Sequence, residues 1–159
     1  MLKVINYTEV EEIVKNVNEL GLPTDCEVID QGAGTGRIGL QLVESGFSNI
    51  DAVDASRRFL EALKLTKAYR NSYYMYLGTG AFPEEEHKDH YDLVVSAGIF
   101  LTGHMPKTGI QEIIEGMKPG AYWVTAMRER FYTSGEEMGY REEFDRLVNE
   151  GKVTITKSY

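Results

Sequence analysis

Residues 28–39 read Val28-Ile29-Asp30-Gln31-Gly32-Ala33-Gly34-Thr35-Gly36-Arg37-Ile38-Gly39, and the fold turns on how their glycines are counted. Gly32, Gly34 and Gly36 form G-x-G-x-G. Gly34, Gly36 and Gly39 form G-x-G-x-x-G, the dinucleotide fingerprint. In that fingerprint the first glycine follows its strand almost directly. Gly34 lies four positions past Asp30, whereas Gly32 lies two past it. The register therefore favours the turn Gly32, Ala33, Gly34 and Gly36. No Gly-Lys-Ser/Thr follows, which excludes a triphosphate-gripping loop.

On either side of this turn the chain alternates strands with helices. Before it, Val10, Ile13, Val14, Val17 and Leu20 recur on one helical face, stopped by Gly21 and Pro23. "CEVID" is a short apolar strand and "RIGLQLVESG" the helix after the turn. "NIDAVDA" is a second strand, and "RRFLEALKLTKAYR" a helix with Ser56 as N-cap and Phe59, Leu60 and Leu63 on its inner side. "SYYMYLG" and "YDLVVSAGIF" are the third and fourth strands. A helix over "KTGIQEIIEGMK" is closed by Pro119-Gly120, and "AYWVTAMRE" is the fifth strand. "YREEFDRLVNEG" is a helix, and Val153–Tyr159 a sixth strand. This pattern predicts one α/β domain over 1–159, a Rossmann-like doubly wound sheet, mostly parallel, with about six strands and helices on both faces. Residues 1–22 are expected to form an N-terminal helix and partial lid. In such a sheet the ligand crevice lies beyond the carboxyl ends of the strands, at the switch point. The residues just after each strand are therefore the candidates for the site.

Asp54 ends the second strand, where an acid accepts hydrogen bonds from ribose hydroxyls. A carboxylate at Asp30 would repel pyrophosphate and welcome an ammonium group. S-adenosylmethionine has an ammonium, a sulfonium and a carboxylate but no phosphate. Its carboxylate can approach the glycine turn near the amino end of the next helix. Register and charge together favour it over a nicotinamide cofactor.

"VIDQGAGTG", "DAVDAS", "YDLVVSAGIF" and "MKPGAYWV", in that order, resemble the class I S-adenosylmethionine-dependent methyltransferases from about Cys26 onward. Within them, "YDLVVSAGIFLTGHMP" and "MKPGAYWVTAMRERFY" look like the Williams–Beuren-region methyltransferase-like proteins, with Gly103-His104-Met105-Pro106 the specific part. The resemblance implies that Asp30, Gly32, Gly34 and Gly36 hold the methyl donor, that Asp54 takes its ribose, and that Ala55 lies against adenine. It puts Gly78 and Thr79 where an acid often receives the adenine amino group, and Ser96 and Ala97 beside the methionine moiety. For Ser96 a tight structural turn is an equal reading. The family also has a seventh strand, antiparallel beside the fifth, for which no segment is evident here.

Net charge is −8, which argues against a nucleic-acid partner. No stretch is long and apolar enough for a membrane span, and the start lacks signal-peptide character. Cys26 is the lone cysteine, so no internal disulfide is available and a cytoplasmic location is expected. An uncovered sheet edge would invite pairing with a second copy. His104, beyond the fourth strand, is the one candidate base, against a plain backbone-bonding role. His87 and His90 have H-x-x-H spacing on a short acidic loop, read as surface polarity rather than a metal site. Phe100, Met105 and Tyr7 are candidates for an apolar acceptor pocket or for core. Two functions remain open: a methyltransferase acting on a small-molecule acceptor, and a non-catalytic or partner-dependent S-adenosylmethionine-binding domain. A nicotinamide dehydrogenase is the third and weakest reading.

Overall fold

The computed structural model describes residues 8–156. Its elements are α1 (Thr8–Glu19), β1 (Val28–Gln31), α2 (Arg37–Glu44), β2 (Ile50–Asp54), α3 (Arg57–Lys64), β3 (Asn71–Tyr74), β4 (Tyr91–Ser96), α4 (Thr108–Glu115), β5 (Met117–Thr125) and α5 (Tyr140–Asn149). Short 3-10 turns cover Glu85–His87 and Glu129–Tyr132. The strands form one five-stranded sheet in the order β3-β2-β1-β4-β5, and every pair is parallel. The chain winds outward from β1 to β3 and then restarts at β4 beside β1. The switch point therefore falls between β1 and β4, directly under the glycine turn.

Both faces of the sheet are covered, so its inner strands are apolar almost continuously. Val28, Ile50, Leu93 and Val95 point to the face packed by Val10, Ile13, Val14 and Val17 of α1 and by Ile38 and Leu42 of α2. Leu63 of α3 joins that side through Ala33 and Ala52. Ile29, Val53 and Val94 point the other way, to Ile110 and Ile113 of α4 and Tyr140 and Leu147 of α5.

Several boundaries differ from the expected ones. Five strands are present among the described residues: 153–156 form no strand, and the rest of the expected sixth strand lies outside the described residues. So do Tyr7 and the start of the expected lid. Pro119-Gly120 does not close a helix. These residues sit inside β5, in a bulge between the Tyr91 and Leu93 pairings, where Gly120 takes φ +82°. Pro is accommodated at such an irregularity because no ladder donor is needed there. The third helix stops at Lys64, shorter than its sequence pattern, which leaves Leu65 84% exposed. Ser56 caps this helix as expected, its Oγ accepting from the Phe59 N–H at 3.3 Å. Phe59 itself is exposed, while Leu60 and Leu63 are buried.

Candidate functional site

The turn after β1 bends through three left-handed glycines, with φ +74° at Gly32, +56° at Gly34 and +85° at Gly36. Its amides are tied to β2. The Gly32 and Ala33 N–H groups donate to the Val53 carbonyl, and the Gly34 N–H donates to Asp54 Oδ2 at 2.8 Å. Asp54 Oδ1 accepts from the Ser56 N–H at 2.7 Å. One carboxylate thus holds both the glycine turn and the loop leading into α3. An ionised carboxyl has about four acceptor sites, so capacity remains for ribose hydroxyls. Nothing lies within 4 Å of where a Cβ at Gly34 would stand, so the turn is open to a ligand there. A Cβ at Gly32 would instead meet Ile99 Cγ2 at 2.4 Å, so the segment after β4 closes on the turn.

Asp30 corrects the sequence reading. It is completely buried, not open to an ammonium group. Its Oδ2 accepts from the Tyr69 hydroxyl at 2.6 Å, and Oδ1 has no partner among the described residues. Burial pushes its carboxyl up to about 7; the Tyr69 bond opposes this rise and the nearby Asp54 charge adds to it. Gly39 belongs to the same arrangement. Its N–H donates to the Tyr69 hydroxyl at 3.0 Å, and a Cβ there would lie 2.3 Å from the Tyr69 ring. Gly39 is thus a seat for Tyr69 rather than part of a dinucleotide loop. Tyr69 gave no sequence signal, because its partners lie 30 and 39 residues away.

Ser96 takes the structural of its two readings. It is fully buried, donating from Oγ to Thr125 Oγ1 at 2.7 Å and accepting from Trp123 Nε1 at 2.9 Å. It fastens β4 to β5 and presents nothing to a ligand. Ala97 is half-buried and packs against the α1 and α2 side of the core. Ala55 is exposed at the tip of β2. Thr79 is exposed too, but its hydroxyl donates to the Tyr76 carbonyl at 2.6 Å and so serves its own turn.

The acid at this corner of the site is Glu112, which the sequence did not single out. From α4 it accepts the Gly78 N–H at 2.7 Å and the Gly80 N–H at 2.6 Å. Pro106 presses on the same loop, 2.2 Å from where a Gly78 Cβ would be. The loops after β1, β2, β3 and β4 therefore touch in succession and form one rim. His104 stands exposed on that rim, its N–H donating to the Leu101 carbonyl. Phe100 and Met105 do not line a pocket. They are 2% and 4% exposed, with Phe100 packed on Trp123, Tyr140 and Phe144. Tyr140 donates to the Met105 carbonyl and pins this loop to α5. Beyond the rim a hollow of about 380 Å³ is lined by Thr102, Arg130, Phe131, Glu136 and Glu137.

A parallel sheet of this order, a glycine turn at its switch point and an acid at the tip of β2 make a Rossmann-like nucleoside-binding fold, which the class I methyltransferases share. The residues present suit S-adenosylmethionine. Gly34 leaves room for it and Asp54 has acceptor capacity to spare. At the tip of β1, the buried amide of Gln31 has no partner among the described residues, so polar capacity is left unmet there. The family model of the tellurite resistance protein TehB matches residues 3–145. Methyltransferase-like protein 27 of Homo sapiens is 27% identical over 129 residues, covering 81% of this chain and 50% of that protein. The chain thus spans half the length of that human relative. A TehB-like SAM-dependent methyltransferase from Corynebacterium glutamicum superposes with TM-score 0.60 at 20% identity, covering 85% of this chain and 71% of that one. A SAM-dependent methyltransferase from Thiobacillus denitrificans, in complex with S-adenosyl-L-homocysteine, gives TM-score 0.55 at 16% identity, over 72% of this chain and 47% of that one. The chain belongs to the TehB family, among the S-adenosylmethionine-dependent methyltransferases of class I.

Proposed function

We propose that this protein transfers the methyl group of S-adenosylmethionine to a small-molecule acceptor seated between the loop after β4 and the segment after β5. The observation that supports this reading is the glycine turn held by Asp54 at the switch point, together with a hollow lined by Thr102 in the loop after β4 and Arg130 in the segment after β5. That hollow is open to solvent rather than enclosed. Its lining of Arg130, Glu136 and Glu137 suits an acceptor with polar or charged groups. No helix of the described residues is long and apolar enough to cross a membrane.

S-adenosylmethionine, when bound, supplies a methyl group already activated on a sulfonium. What the chain must add is alignment of acceptor and donor. Asp54 and the glycine turn fix the adenosine end, and Glu112 keeps the loop after β3 in place. His104, two residues beyond Thr102 in the sequence, is the side chain we assign to take a proton if the acceptor arrives protonated.

Calorimetry should show binding of S-adenosylmethionine and S-adenosylhomocysteine and none of NAD. A panel of small acceptors, with tellurite included for the family's name, should then yield methylated product. The variant His104→Ala should lower kcat while leaving S-adenosylhomocysteine affinity unchanged. Donor binding without methylation of any acceptor across broad panels would replace this reading with the non-catalytic one. We also propose that the outer edge of β5, unpaired among the described residues, is where a second copy would add; size-exclusion chromatography with light scattering tests it.

A further inference from the structure

We propose that Glu84, Glu86 and His87, in the loop between β3 and β4, bind one divalent transition-metal ion of the zinc type. His87 is 3% exposed, although it belongs to a run of charged residues expected on the surface. Its ring sits among Tyr73, Phe82 and Tyr91, with centroid distances of 4.6, 5.8 and 6.2 Å. Neither ring nitrogen has a hydrogen-bond partner among the described residues. An imidazole always carries polar nitrogens, and burying both unmet is unfavourable unless something else satisfies them. Glu86 Oε1 lies 3.7 Å from Nε2, beyond hydrogen-bond range. One ligand atom each from Glu84, Glu86 and His87 lies within 4.8 Å of the others.

Neighbouring groups are already committed, which narrows the set. Glu85 pairs with Lys88 at 2.9 Å. His90 turns to Glu27, 3.2 Å away, so the H-x-x-H spacing does not act as a pair. Glu84 and Glu86 are exposed. Metal–ligand bonds of about 2.0–2.2 Å would draw the three groups together over the imidazole. One imidazole and two carboxylates suit zinc, cobalt, nickel or manganese better than calcium or magnesium, which take oxygen ligands alone. Water would complete the coordination.

His87 stacks on Tyr91, the first residue of β4, whereas the glycine turn lies beyond the opposite ends of the strands. An ion here would brace the loop against β3 and β4 and take no part in methyl transfer. Because it would bind the folded chain and not the unfolded one, it would raise Tm.

Zinc chloride titrated into the metal-free protein should bind with one-to-one stoichiometry and raise Tm, while magnesium chloride should do neither. The double variant Glu84→Gln/Glu86→Gln changes only exposed side chains, so it should fold. It should weaken zinc binding about tenfold or more and lose the Tm increment. His90→Ala should bind zinc as the unmodified chain does. Absence of zinc binding, or equal affinity in the double variant, overturns the proposal. Neither readout involves S-adenosylmethionine, so the outcome is independent of the methyltransferase reading.

Discussion

Asp54 carries more of this site than any other side chain. It accepts from the Gly34 and Ser56 amides, and an ionised carboxyl retains acceptor sites beyond these two. Asp54→Ala removes two charge-assisted bonds and leaves the Gly34 N–H unmet. The variant should lose about 2–3 kcal/mol of stability in urea unfolding and bind S-adenosylhomocysteine at least about tenfold more weakly by calorimetry. Asp30 behaves oppositely. Its folded pKa, about 7, lies above the value of about 3.9 expected in the unfolded chain. Between those values the folded state holds more protons than the unfolded state, so stability falls as pH rises from 4 to 7 and is level above. Asp30→Asn keeps an acceptor for Tyr69 and carries no charge. Its stability should exceed the unmodified chain's at pH 8 by about 2–4 kcal/mol, and the difference should shrink toward pH 4. Denaturation curves across that range check the sign. A variant less stable at pH 8 than at pH 4 relative to the parent would show that Asp30 is ionised and satisfied in the fold.

At the scale of elements, the rim is assembled by bonds between loops rather than by any one of them. Glu112 reaches from α4 to two amides of the loop after β3, while Thr108, also on α4, donates to the Gly78 carbonyl at 3.2 Å. Glu112→Ala leaves both amides without their carboxylate. The loop should loosen, seen as faster hydrogen exchange at 78–80, and donor affinity should fall several-fold with the fold retained, at a stability cost of about 1–3 kcal/mol. The periodicity of α4 shows Ile110 and Ile113 facing inward, but not that Glu112 faces a neighbouring loop. The same limit hid the pairing of Tyr69 with Asp30. Hydrophobic period locates the apolar face of an element, and says nothing of which polar side chain finds a partner across the sheet.

For the whole molecule, ligand binding and folding are linked. A donor that binds only the folded chain adds about 2.7 kcal/mol at a hundred times its Kd. Saturating S-adenosylhomocysteine should therefore raise Tm by several degrees, whereas NAD at equal concentration should leave it unmoved. A Tm raised by NAD instead would return the glycine turn to the dinucleotide reading. The sheet ends at β3 and β5 among the described residues. β5 is only partly buried along its length, with Tyr122 exposed, and β3 at the other edge likewise, with Tyr74 exposed.

The order of the first five strands and the helices between them, the winding, and the placement of the glycine turn and Asp54 at strand ends could be read along the chain. They rest on apolar period, on helix signals such as Ser56 and on the register of Gly32 after its strand, which are local properties. The orientation of Asp30, the fastening role of Ser96, the reach of Glu112 and the burial of His87 were decided only in the tertiary structure. Each depends on a partner tens of residues away or on an aromatic enclosure built from several elements. A side chain's charge in isolation does not tell whether the assembled sheet leaves it in water.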